Sequence, residues 1–368
     1  MKKFFLINII SLILISKNTF AQTIDTIINV GNGQQLHFNI IKGKGAPILF
    51  ESGFGNGAEV WKNITKQIAD VTSATIITYD RLSFGDNAHN YKIGFLFEIK
   101  ALEVGLQKLG YANKNMMLVS HSLGGLYNSY YASRHPKEVK AAVLIDDANA
   151  CSLAVSVSAK KSPKEDTLEK YFANILDTVI RNPMPLHIPV LDIVAVDHTD
   201  ENGNKDTVWI NCHKSFVAQS PKRSILLAYG VGHYVFVDNP LLTINAIIKQ
   251  YAIFLAPDQK NNIIEKGYAL ELAMINDIKK NEVKCGHSED DLNTWGYSLL
   301  ENKETEKAIE VFKLNSVLNP SSWNAYDSLA EAYLKASNKD LAVKNYKKSL
   351  ELNSKNENAT KVLEQLLK

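Results

Sequence analysis

Residues 118–127 read LVSHSLGGLY, and Ser122 within them has the surroundings of a nucleophile. A serine hydroxyl is a weak nucleophile. It needs a base to take its proton, an acid to orient that base, and donors to hold the developing oxyanion. The apolar run NMMLVS leads into the helix-forming GGLYNSYYA, so Ser122 falls at a strand-to-helix turn, where the helix N-terminus adds positive potential. The local pattern is G-x-S-x-G with Ser120 in place of the first glycine. That place needs only a small side chain, whereas Gly124 must let the helix backbone pass close to neighbouring strands. His121, at the variable position, has a packing role.

A base is available in His233, one of nine histidines, within AYGVGHYVFVDNP. It directly follows the last strand-like run and precedes a helix that Asn239-Pro240 would start. Two aspartates compete as the acid, Asp197 at the end of IPVLDIVAVD, with Asp200 as a nearby substitute, and Asp146 at the end of VKAAVLID. Sequence alone leaves both open. Asp147 is expected to face away. Glycines 53, 55 and 57 in ESGFGNGAEVW allow a close backbone approach, and their spacing is not the G-x-G-x-x-G of a dinucleotide site.

The elements that must position these groups follow a clear rhythm. From Thr23 to about Pro257, β-branched runs alternate with amphipathic stretches, which predicts a mostly parallel sheet flanked by helices. TIINV and LHFNI form an opening hairpin around Gly31-Asn32-Gly33, followed by APILFES, ATIITYD, NMMLVS, VKAAVLID, IPVLDIVAV and RSILLAYG. Helices are expected around Glu59–Asp70, Glu98–Leu109, Gly124–Arg134 and Pro240–Phe254. The stretch 151–187, with a helical LEKYFANILDTVI, is too long for an ordinary connection and reads as a helical cap over the substrate pocket.

Taken together, residues 22–257 resemble the α/β-hydrolase superfamily, and YDRLSFGDN at Tyr79–Asn87 looks like that family's Y-D-R-P-G-Y-G-x-S segment, departing from it at Leu82 and Ser83. The resemblance implies a chain order with nucleophile first and base last. It also implies an oxyanion hole from the backbone N–H groups of Phe54 and Leu123. The seventh strand, where Asp197 lies, is the family's commoner address for the acid. The sixth, where Asp146 lies, serves a minority including haloalkane dehalogenases. Asp80 and Arg81 are expected to be structural.

Beyond Pro257 the texture changes to helix formers and charges, with a linking helix expected within 258–288, around Asn262–Lys279. Trp295-Gly296 recurs after 34 residues as Leu329-Ala330, Ala308 as Ala342, and Phe312 as Tyr346. These residues resemble the tetratricopeptide pattern, in which small residues let two helices approach and large ones fill the gap between hairpins. Two repeats fit, Glu289–Ser322 and Trp323–Ser354, with a capping helix in Asn358–Lys368. A pair of repeats is short for independent stability, so the 289–368 array is expected to pack on the hydrolase domain.

Composition narrows the function classes. The 368 residues carry a net charge of +2 with only four arginines, and no basic cluster interleaves with aromatics, which argues against nucleic acid. Residues 1–21 place Lys2 and Lys3 before an apolar run and a small-x-small site, a signal peptide that implies export to the periplasm or medium and no membrane span after cleavage. Cys151, Cys212 and Cys285 have no metal-ligand spacing, and their pairing is not readable. The expectation is an exported serine hydrolase of carboxylic esters needing no metal or organic cofactor, with a small ester or acyl substrate and a protein or peptide partner for the repeats. An aminopeptidase, for which Glu165, Asp166 and Glu169 of the cap could hold an amino terminus, or an acyltransferase would use the same triad. An inactive binding or assembly protein is the rival from another class.

Overall fold

The computed structural model describes residues 22–82, 93–158, 168–196, 207–229, 231–257, 259–264, 266–267, 270, 289–301, 303 and 305–367. All eight strand-like runs form strands: β1 (Thr23–Gly31), β2 (Gln34–Ile41), β3 (Gly45–Glu51), β4 (Ala74–Asp80), β5 (Met116–His121), β6 (Val139–Ile145), β7 (Val190–Ala195) and β8 (Arg223–Ala228). They join in one sheet of order β1-β2-β4-β3-β5-β6-β7-β8. β2 pairs antiparallel with β1 and β4, and every pairing from β4 through β3 to β8 is parallel. The burial of β2 alternates, with Leu36, Phe38 and Ile40 inward, whereas β5 and β7 are buried throughout, as strands covered on both faces must be.

One face of the sheet is covered by α1 (Lys62–Thr72) and α8 (Pro240–Ala252), through Ile64, Ile68, Ile244 and Ile247. The other is covered by α2 (Phe95–Lys108), α3 (Gly124–Arg134) and α5 (Leu168–Arg181), through Ile99, Leu102, Leu126 and Ile175. Three further helices are α4 (Ala150–Ser158), α6 (Thr207–Ala218) and the single turn α7 (Val235–Asp238). The expected helix at Glu59–Asp70 opens as a 3-10 turn, Ala58–Trp61, before α1. No helix is expected from sequence at 207–218. The buried face of α6 there carries Cys212 and His213 rather than large apolar residues, so the hydrophobic period is missing.

The C-terminal helices are α9 (Glu289–Glu301), α10 (Thr305–Leu318), α11 (Trp323–Lys335), α12 (Lys339–Leu352) and α13 (Glu357–Leu366). α9 and α11 begin at 289 and 323, α10 and α12 at 305 and 339, a shift of 34 residues in both cases. A Cβ at Gly296 would stand 2.4 Å from the Phe312 ring, so α9 and α10 can meet there only without a side chain. Ala330 and Tyr346 are fully buried at the corresponding places of the second hairpin. One apolar cluster includes Ile247 and Ile248 of α8 together with Leu292, Trp295 and Leu299 of α9, so the helical array rests on the sheet domain. The expected linking helix lies mostly outside the described residues, as do residues 1–21. Among the described residues no helix is long and apolar enough to cross a membrane.

A buried polar network sits below the loop that follows β3. Arg81 Nη1 lies 3.2 Å from Glu51 Oε1, and Arg81 Nη2 donates to Gly53 O at 2.5 Å. Tyr79 donates to Glu51, and the Arg81 guanidinium lies 4.5 Å from the centre of the Tyr127 ring. The Tyr127 and Tyr171 hydroxyls lie within hydrogen-bond reach of Glu98 Oε2 and of each other, which links α2, α3 and α5. Asp80 accepts from the Ala58 N–H at 2.6 Å, and Ser52 donates to Gly57 O at 2.9 Å. Asp80 and Arg81 therefore shape the 52–58 loop, in line with a structural role.

Burial lifts the Glu51 carboxyl to about 7, and the opposing pull of Arg81 and the Tyr79 hydroxyl only partly offsets it. The folded state thus keeps a proton that an unfolded glutamate releases near 4.5. Stability should fall as pH rises from about 5 through about 7, by at most about 3 kcal/mol. Urea unfolding at a series of pH values should show this slope in the wild type and a flatter one in Glu51→Gln. A Cβ at Gly124 would stand 2.6 Å and 2.8 Å from the backbone oxygens of Glu51 and Ser52, which cannot rotate away. Gly124→Ala should cost about 1–3 kcal/mol in the same unfolding measurement.

Candidate active site

Ser122 follows β5 with φ 55°, a left-handed backbone rare outside glycine, and α3 begins two residues later. Its carbonyl accepts from the Gly125 N–H at 3.0 Å and the Ala148 N–H at 2.8 Å, so hydrogen bonds from both following segments hold the turn. The residue is half-buried. Asp146 follows β6 with φ 51°, and its N–H donates to Ile193 O at 2.6 Å. Two consecutive parallel strands therefore end in strained residues at the same edge of the sheet.

His233 Nδ1 lies 2.7 Å from Asp146 Oδ2. Asp146 is fully buried, and its Oδ1 accepts from the Ala195 N–H at 3.0 Å and the Trp209 indole at 2.9 Å. A carboxylate so held keeps the Nδ1–H tautomer of His233 and leaves Nε2 as the basic nitrogen. His121, adjacent to Ser122, packs its ring 4.5 Å from that of His233 and donates from Nε2 to the His233 carbonyl at 3.0 Å. Burial first, and then the neighbouring His233, push His121 down to about 3, so it stays neutral and packs as expected.

The glycine loop after β3 lies against this turn. A Cβ at Gly53 would stand 2.8 Å from His121 Nδ1 and 3.2 Å from Ser122 Cβ. Asn56 donates to the Tyr234 hydroxyl at 3.1 Å, which ties the loop to the segment carrying His233. Leu123 is the first residue of the α3 turn, and the Phe54 ring packs 5.8 Å from that of Phe172 on α5. The expected cap residues Glu165 and Asp166 lie outside the described residues.

Of the competing acids, Asp146 contacts His233, and Asp197 and Asp200 lie outside the described residues. Asp147 points elsewhere, accepting from Ser120, and burial pushes its carboxyl well up from the ordinary range. Ser120 is therefore more than a small residue in a glycine place, because it hydrogen-bonds a buried acid. Sequence reasoning missed Trp209, whose helix lacks an apolar period. It also left the cysteines unpaired, whereas Cys151 of α4 bonds Cys212 of α6, Cα atoms 5.4 Å apart. Folding α4 back over α6 brings together two residues 61 apart in sequence. His213 of α6 lies 2.8 Å from Asp192 and is pushed up, because that carboxylate outweighs the effect of burial. A separate apolar cavity of about 340 Å³ lies between α8 and α9, lined by Leu241, Ile253 and Trp295, and it includes none of the residues at Ser122.

A family model described as the α/β hydrolase fold matches residues 46–187. The uncharacterized protein YqjL of Bacillus subtilis is 25% identical over 219 residues, 57% of this chain and 85% of that protein. Lipase 1 of Psychrobacter immobilis is 27% identical over 238 residues, 53% of this chain and 73% of the lipase. The solved structure of an esterase from Exiguobacterium antarcticum is 13% identical with a TM-score of 0.44, covering 62% of this chain and 99% of that one. The eight-stranded order, with its antiparallel start and parallel remainder, is that of the α/β-hydrolase fold which the family model matches over residues 46–187, and this chain is a hydrolase enzyme with that fold.

Proposed function

We propose that the protein is an exported serine hydrolase of carboxylic esters, with Ser122 as nucleophile, His233 as base and Asp146 as acid. The observation that carries this reading is the 2.7 Å contact between Asp146 and His233, whose ring packs on the residue preceding the strained Ser122. The similarity to a protein named a lipase supports the ester as the substrate bond.

In this mechanism His233 Nε2 takes the Ser122 hydroxyl proton as Oγ bonds the acyl carbon. The carbonyl electrons move onto oxygen, held by the N–H groups of Phe54 and Leu123. Collapse breaks the bond to the alcohol, which leaves with the proton from Nε2. Water then adds to the acyl-enzyme with His233 again as base, and releases the acid and free Ser122. Asp146 stays ionised throughout and steadies the imidazolium. Residues 151–187 serve as a cap over this site, supported by the packing of Phe172 against Phe54.

Export agrees with the Cys151–Cys212 disulfide, since such bonds persist in oxidising compartments. The two C-terminal hairpins act as a tetratricopeptide pair that tethers the enzyme to a peptide or protein partner. The 34-residue shift between their helices supports this.

A fluorophosphonate probe should label the wild-type protein. Ser122→Ala should abolish labelling, and Ser120→Ala should keep it while losing about 1 kcal/mol of stability with the bond to Asp147. Labelling of Ser122→Ala at the wild-type rate would reject Ser122 as nucleophile. Asp146→Asn should retain the fold and lower turnover of p-nitrophenyl esters by about 10³- to 10⁴-fold. Amino-acid anilides and alcohol acceptors assayed beside those esters should turn over more slowly, and the reverse ranking would favour a peptidase or acyltransferase.

A further inference from the structure

Asp146 has a donor that no triad requires. The Trp209 indole N–H reaches Oδ1 at 2.9 Å, beside the Ala195 N–H at 3.0 Å, while Oδ2 takes His233 at 2.7 Å. The Trp209 ring also meets the His233 ring edge-on, with centroids 6.3 Å apart. Ala195 belongs to β7 and is fixed by the sheet, but Trp209 sits on α6, whose place depends on side-chain attachments. Its attachments among the described residues include a disulfide, an ion pair and a stacked arginine. Cys212 is bonded to Cys151 at the start of the cap. His213 lies 2.8 Å from Asp192 of β7. Arg223 stacks 4.0 Å over Phe216 and donates to the Phe216 carbonyl at 2.9 Å. The disulfide is the one nearest the Trp209 end of the helix.

We propose that Trp209 is a positioning residue that orients the Asp146 carboxylate toward His233, and that the Cys151–Cys212 disulfide holds it in place. This rests on the reading of Asp146 and His233 as acid and base. With both donors on Oδ1, the carboxylate cannot swing about its Cβ–Cγ bond, so Oδ2 stays directed at Nδ1. Without the indole, Oδ1 loses one of the donors that resist this rotation. Breaking the disulfide releases the middle of α6 and should loosen the same contact by a longer route.

Two readouts in the full-length protein test this. The first is the downfield proton resonance of His233 Nδ1–H, assigned by its loss in His233→Gln, which reports the pair without requiring turnover. The second is the fluorophosphonate labelling rate, split into inhibitor saturation and maximal rate, across pH. In Trp209→Phe the resonance should shift or broaden. The maximal rate should fall by about 10- to 100-fold with saturation little changed. If the phenylalanine chain does not fold, Trp209→Leu, smaller and also without an N–H, repeats both measurements. Dithiothreitol, which supplies the two electrons and two protons that convert the disulfide to thiols, should move the wild type toward the variant and change the variant by less than about twofold if the two act through one contact. An unmoved resonance with a rate within twofold of wild type in Trp209→Phe would overturn the role of Trp209. Equal slowing of wild type and variant on reduction would overturn the link to the disulfide. Unchanged labelling in Ser122→Ala would defeat the nucleophile assignment alone, because the resonance would still report the indole.

Discussion

A single short contact, Nδ1 of His233 against Oδ2 of Asp146, organises the carboxyl edge of this sheet. A buried carboxylate is costly unless every lone-pair direction finds a donor, and Asp146 meets that demand with an imidazole, a main-chain N–H and an indole. Those three donors come from the loop after β8, from β7 and from α6, so satisfying one charge determines where three separate pieces of chain converge. The strained backbone at Asp146 and Ser122 is maintained by the same surroundings, since the Asp146 N–H is bonded to β7 and the Ser122 carbonyl takes two N–H donors.

The far side of the site is shaped by a different economy of charge. Glu51, Arg81, Tyr79, Glu98, Tyr127 and Tyr171 are buried together, and Arg81 passes its second donor to the Gly53 carbonyl. The glycine loop is thereby fixed by polar bonds from below, and Gly53 and Gly124 allow backbone approaches too close for a side chain. Helix α5 joins this network through Tyr171 and meets the loop through Phe172, so helix and loop share one support. The C-terminal helices share the apolar cluster on the opposite face of the sheet, through Trp295 and Leu299.

Much was legible from residue order because parallel strands need continuous apolar runs and helices need punctuation. All eight strands, the α3 helix from Gly124 to Arg134, and the start of α8 at Pro240 follow directly from such local signals. The candidate nucleophile and base were legible for a related reason. In a parallel sheet, every strand's carboxyl end faces the same edge, so a serine and a histidine placed at two such ends lie on one side of the sheet, however far apart in the chain.

Local pattern could not choose between acids, because Asp146 and Asp197 both close a strand-like run of the sequence. It could not place Trp209 or pair Cys151 with Cys212, since α6 buries a cysteine and a histidine instead of an apolar stripe. Nor could it show that Ser120 bonds a buried aspartate. Residue types at strand ends thus determined which chemistry this chain is equipped for. Tertiary structure decided which carboxylate, among the described residues, meets His233, because burying a charge is a requirement that only the assembled surroundings can meet.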